Sequence, residues 1–91
     1  MSNYIFVHID TSEDAMTGDQ GWDGINEGDS VSNFAHAVEQ ELSEMYPDVE
    51  VDVTTYAMRQ YVDTDVDGAE DVALDVIGRI FSAGEFWVNE Q

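Results

Sequence analysis

Ninety-one residues, 43% of them hydrophobic, suffice for one domain, 1–91, with a modest core. The charge is one-sided: 21 Asp and Glu stand against two Arg and no Lys, a formal −19 at pH 7. That balance excludes surface ion pairs as a general source of stability, makes nucleic acid and anionic membranes poor direct ligands, and, with no cysteine, excludes disulfides and thiolate metal centres.

The opening MSNYIFVHID has no basic segment and no long apolar run, so neither a secretory signal nor a membrane span is expected, and a soluble cytoplasmic protein is. Tyr4 to Ile9 reads as a buried strand, with Ile5, Val7 and Ile9 on one face and Tyr4, Phe6 and His8 on the other. Large side chains on both faces predict a central position in a sheet. His8 reads as a packed or hydrogen-bonded histidine.

Residues 10–30 hold seven acids and four glycines without periodicity, which predicts a long acidic loop. Within it Met16, Trp22 and Ile25 either tuck onto the core or, in the case of Trp22, offer a partner an anchor flanked by Asp19 and Asp23. Asp29 or Ser30 is placed to cap a helix running to about Tyr46, whose stripe is Val31, Phe34, Ala35, Val38, Leu42 and Met45. His36 falls on its polar side, and Pro47 stops it.

Asp48 to Thr55 alternates strictly, which predicts a half-buried strand with Val49, Val51 and Val53 inward and Asp48, Glu50 and Asp52 outward. Successive carboxylates on that face stand about 6.8 Å apart, on the order of the phosphate spacing along a nucleic-acid strand. Residues 56–62, YAMRQYV, fit either a further strand, paired with the preceding one, or a short helical turn. A second helix is expected from Gly68 or Ala69 to about Ser82, with Asp67 as cap, Glu70 and Asp71 at its positive end, and Gly84 just past its C-terminus. Glu85 to Asn89 reads as a last short strand.

The order strand, helix, strand, strand, helix, strand predicts a small α+β sandwich of ferredoxin-like type, two helices on one face of an antiparallel or mixed sheet. Without a strand at 56–62, a three-stranded sheet with the same helices is the alternative.

Three kinds of chemistry are open to such a chain. Asp63, Asp65, Asp67 and Gly68 match the first half of an EF-hand calcium loop, but Leu74 stands where its bidentate Glu belongs and Glu70 where a hydrophobe does. That leaves a weak metal candidate and no dedicated site. No nucleophile motif, phosphate-binding loop or dinucleotide fingerprint is present, and His8 and His36 lack ligand spacing, so no enzyme activity and no cofactor is expected.

The third is the charge itself. A compact domain bearing one excess negative charge per about five residues presents to a basic groove what a nucleic-acid backbone presents. In size, acidity and carboxylate placement the chain resembles the phage-encoded DNA-mimic inhibitors, among them anti-restriction and anti-CRISPR proteins. The resemblance implies a protein that fills the basic groove of a host defence complex and blocks target DNA in the host cytoplasm; size favours a CRISPR effector over a restriction enzyme as the target. A monomer is expected, with a dimer left open.

The carboxylates expected to meet the partner are Asp48, Glu50 and Asp52 on the strand, Asp63, Asp65, Asp67, Glu70 and Asp71 around the second helix start, and Asp19 and Asp23 beside Trp22. The alternatives are a salt-adapted acidic adaptor, which would gain order in molar salt, and a calcium-binding module built on Asp63–Asp75.

Overall fold

A computed structural model describes residues 3–89. The chain forms strand β1 (Tyr4–His8), a one-turn helix α1 (Glu13–Met16), a 3₁₀ turn (Gly18–Gln20), and the long helix α2 (Glu27–Met45). Strands β2 (Glu50–Thr54) and β3 (Tyr61–Thr64) follow, then helix α3 (Ala69–Ala83). The result is an α+β fold with a mixed three-stranded sheet in the order β2-β1-β3.

The central place expected for β1 is observed. Helix α2 carries the chain back to the start of the sheet, so β2 lies parallel to β1. The chain then crosses the far end of β1, where Ile9 N–H donates to the Thr54 carbonyl and Ala57 N–H to the Ile9 carbonyl, at 2.8 and 3.1 Å. Tyr56 turns this corner with φ 58°, a left-handed conformation uncommon outside glycine. Its N–H is held at 2.9 Å by the hydroxyl of Thr11, which is fully buried. Having crossed, the chain runs back as β3, antiparallel to β1 on its other edge.

Helices α2 and α3 cover one face of the sheet. The core joins Ile5, Val7 and Ile9 from the first strand and its extension to Phe34, Val38 and Leu42 of α2 and to Ala69, Ala73, Val76 and Ile77 of α3. The two alanines present no bulk where α3 meets the sheet. Arg79 of α3 clasps Glu41 of α2 with two bonds, Nη1–Oε1 at 2.9 Å and Nη2–Oε2 at 2.6 Å. Asp75, one turn before, lies 4.0 Å from the same guanidinium.

Several expectations are corrected. The acidic loop 10–30 is ordered into α1 and the 3₁₀ turn, and α2 begins three residues before Ser30, at Glu27. Asn26 is its cap, accepting the Asp29 N–H at 3.1 Å, so Asp29 lies inside the first turn. Met45, placed in the apolar stripe, is exposed at the end of α2. The third strand starts only at Tyr61, and it pairs with β1 rather than β2. Residues 56–60 are neither strand nor helix.

Asp67 makes no capping bond to α3. Gly68 occupies the cap position in a left-handed conformation, and Gly84 closes the helix in another, as the sequence implied. The last segment does not join the sheet, so the ferredoxin-like four-stranded arrangement gives way to three strands. Asn89 forms an isolated bridge to Ile25 instead, and the Ser30 hydroxyl accepts the Val88 N–H at 2.8 Å. Phe86 draws the segment there: it is buried and stacks on Phe34 with ring centroids 4.7 Å apart.

Candidate functional site

Because both long helices pack on the Ile5–Val7 side, no element among the described residues covers the opposite face of the sheet. Strand alternation puts Tyr4, Phe6 and His8 on that face, half-buried, and Glu50, Asp52, Thr54, Tyr61 and Asp63 beside them, exposed. The register sorts these side chains into rows. Phe6 stands between Asp52 of β2 and Asp63 of β3. Tyr4 has Glu50 on one side, and its N–H donates to Asp65 Oδ1 at 2.9 Å on the other. His8 lies between Thr54 and Tyr61. An aromatic midline thus runs along β1 with carboxylates on both flanks over two of its three rows.

The midline is knit by ring contacts. Tyr4 and Phe6 lie 4.8 Å apart, centroid to centroid, and His8 stacks on Tyr61 at 4.2 Å with an 11° interplanar angle. The guanidinium of Arg59 sits over the Tyr61 ring at 5.3 Å. Among the described residues the ion pairs are those of Arg79, so the partner of Arg59 is a ring and not a carboxylate. The Tyr4 hydroxyl donates to Asp63 Oδ1 at 3.4 Å, and the charge of Asp63, ahead of burial and of that bond, raises the Tyr4 phenol above its ordinary pKa.

Past the end of β3, Asp65, Asp67, Glu70 and Asp71 line an open acidic hollow with Thr64, Val66 and Gly68. Asp65 belongs both to this hollow and to the Tyr4 row, so the two acidic areas are continuous. The structure therefore brings together Glu50, Asp52, Asp63, Asp65, Asp67, Glu70 and Asp71 from the set expected to meet a partner.

It does not bring in the rest. Asp48 lies in the turn before β2 and is not on the strand face. Asp19 and Asp23 are exposed near α1, in the segment that leaves the other end of β1. Trp22 is half-buried, packed on the core and 6.1 Å from Trp87, in the tucked arrangement.

The geometry lends the calcium reading no support. Asp63 is a strand residue on the sheet face, and among the described residues no three acidic or histidine side chains gather as metal ligands. Asp63, Asp65 and Asp67 point to separate tasks: a hydrogen bond from a phenol, one from a backbone N–H, and the rim of the hollow.

Sequence reasoning missed the aromatic residues of this face. The alternation of Tyr4, Phe6 and His8 was legible, but bulk on both faces of β1 implied burial on both. The carboxylates of the neighbouring strands leave that side open beside Tyr4 and Phe6. Among the described residues no helix is long and apolar enough to cross a membrane. Compared with known proteins, the chain matches no family model, no curated protein and no solved structure.

Proposed function

We propose that the protein is a nucleic-acid mimic that docks its open, carboxylate-flanked sheet face in the basic groove of a nucleic-acid-binding complex and so excludes the nucleic acid. The observation that carries this reading is charge arranged along an elongated body. Residues 3–89 hold 20 of the 21 carboxylates and both arginines, a net −18, and their long axis is 45 Å. That is one net charge per about 2.5 Å, against about 1.7 Å for duplex DNA. Among the described residues no carboxylate is buried, so these carboxylates project a field into solvent. Along β2 the spacing of Glu50 and Asp52 matches that of consecutive phosphates to within the reach of a basic side chain.

A host defence complex of the CRISPR type is the target this reading favours, since its groove holds a heteroduplex by backbone charge and not by sequence. The test is displacement. The protein is titrated into a purified effector–guide complex, with a restriction endonuclease and an unrelated acidic domain of equal charge as comparators, and labelled target DNA reports release. Saturable release at equimolar protein, lost when Glu50, Asp52, Asp63 and Asp65 are changed together to Gln or Asn, supports the proposal. Release by the unrelated domain at the same concentration would reduce it to nonspecific charge. No release from either class of complex would sink it.

A further inference from the structure

We infer that the open sheet face recognises arginine in particular: partner guanidinium groups lie on the Tyr4 and Phe6 rings and hydrogen-bond to the flanking carboxylates. The partner, a protein with a basic groove, is taken from the reading above. The choice of side chain is argued from the face itself.

Charge alone does not call for an aromatic midline. A mimic that met only the field of a groove would be served as well by threonine or serine between its carboxylates, since lysine and arginine both answer a point charge. Tyr4 and Phe6 add flat π surfaces in the middle of the acidic rows. A guanidinium is planar, weakly hydrated, and able to stack on a ring while its edge donates to carboxylates; an ammonium does the second of these but stacks poorly.

The dimensions agree. Asp52 and Asp63 lie one strand to either side of Phe6, so their backbones are roughly 10 Å apart, leaving room for one guanidinium over the ring with a carboxylate at each edge.

The chain already holds one arginine in this way. Arg59 lies over Tyr61, which itself stacks on His8, at the end of the midline where Thr54 replaces a carboxylate. That ring is occupied from within; among the described residues no cation lies in this way over Tyr4 or Phe6, in the rows bounded by acids. The other ligand that stacks on sheet aromatics is a single-stranded nucleic acid, whose bases would suit the rings. Its phosphates would meet Glu50, Asp52, Asp63 and Asp65, and the field repels them.

The probes are fluorescent oligoarginine and oligolysine peptides of equal length, together with an oligothymidine strand. Binding is measured by anisotropy at physiological salt on the full chain and on Tyr4→Leu/Phe6→Leu, which keeps apolar bulk and removes both rings. Thermal melting and the amide spectrum of the variant establish that it folds. The wild-type chain should prefer oligoarginine by about tenfold. The variant should lose most of that preference while its affinity for oligolysine stays within about twofold.

A preference that survives unchanged in the folded variant would overturn the inference, because carboxylates alone would then account for it. So would tighter binding of oligothymidine than of either peptide. Should the variant fail to fold, arginine-dependent shifts of the wild-type Tyr4 and Phe6 ring protons, absent with oligolysine, decide the same question. Arginine selectivity without DNA release from any complex would leave this inference standing and remove the mimic reading.

Discussion

Ile5 and Val7 on one side of β1 are completely buried, while Tyr4, Phe6 and His8 on the other stand half-exposed, the first two between carboxylates and His8 between Thr54 and Tyr61. The two sets share a backbone and alternate residue by residue, so propensity and local sequence cannot distinguish them. What separates them is what lies across: two helices on one side, and on the other no element of the described residues, only the neighbouring side chains of β2 and β3, carboxylates beside Tyr4 and Phe6 and Thr54 and Tyr61 beside His8. The comparison shows that an aromatic residue in a strand is not evidence of a core position until the neighbouring strands are known. It also places the stability of this protein on one face of the sheet and the proposed docking surface on the other.

The sharpest way to break that division is to cut neighbouring residues on opposite faces. Ile5→Ala opens a cavity in the core and should cost about 2–5 kcal/mol, a large part of the about 5–15 kcal/mol available to a small domain. Phe6→Ala removes a larger side chain from the half-exposed face and should cost less than half as much. Urea denaturation of the two variants measures both. Equal losses would mean that the open face is structural, and the case for a docking surface would weaken with it.

The next effect in size concerns how the open face is assembled. Asp63 flanks Phe6 only because the chain crosses the end of β1 at residues 55–60, and Thr11 holds that crossing by accepting the Tyr56 N–H. Thr11→Val keeps the shape and removes the acceptor, at an expected cost of about 1–3 kcal/mol for the orphaned group. In a domain of this size that lowers the melting midpoint by about 4–8 °C per kcal/mol. Hydrogen exchange should show the loss concentrated in residues 56–64. A uniform loss across the sheet would assign Thr11 to the general core.

Much of the buried face was readable from the chain alone. The i, i+3, i+4 apolar stripes gave both long helices to within four residues, and Gly84 marked where α3 ends. The clean alternation of Val49, Val51 and Val53 gave β2. The open face was readable only in halves. Glu50 and Asp52 stood out by alternation, but Tyr4 and Phe6 could not be joined to them, because parallel pairing of β1 with β2 is a long-range fact that no local pattern encodes.

The third strand was hidden for a similar reason: Asp63 and Asp65 had the spacing of a cation loop, and two residues between acids are also what a strand provides. The final segment has strand-like composition, yet stacking of Phe86 on Phe34 and the bond from Val88 to the Ser30 hydroxyl hold it away from the sheet.

A smaller stability effect, of opposite sign, is expected from the carboxylates. Glu50→Gln, Asp52→Asn and Asp63→Asn together remove three like charges from one face. Their separations are near the Debye length of about 8 Å at physiological salt, so the gain should be a few tenths of a kcal/mol there and larger in dilute buffer. Melting midpoints at several salt concentrations measure it. Loss of binding accompanied by this gain in stability would identify the face as one whose charges serve the partner and not the fold. A loss of stability would mean that these carboxylates hold the sheet together through bonds of their own.

The smallest effect is a shift in one titration, and it reports on the open face directly. The charge of Asp63, followed by burial and by the hydrogen bond that Tyr4 donates to it, raises the Tyr4 phenol above the ordinary value of about 10. The unfolded chain therefore gives up this proton first, so the contribution of Tyr4 to stability is complete below pH of about 10 and is lost as the pH rises through the folded value. Tyr56 is also raised, by burial first and then by its bond to Glu27, in a different part of the molecule. Phenolate absorbance followed through alkaline pH, with Tyr4→Phe and Tyr56→Phe to assign the two late transitions, should show that Asp63→Asn lowers the Tyr4 transition alone. Saturating oligoarginine should lower it too, since a guanidinium over the Tyr4 row offsets the field of Asp63, while Tyr56 stays where it was. If the peptide moved both tyrosines equally, its charge would be acting from a distance, and the face between Asp52 and Asp63 would not be where it sits.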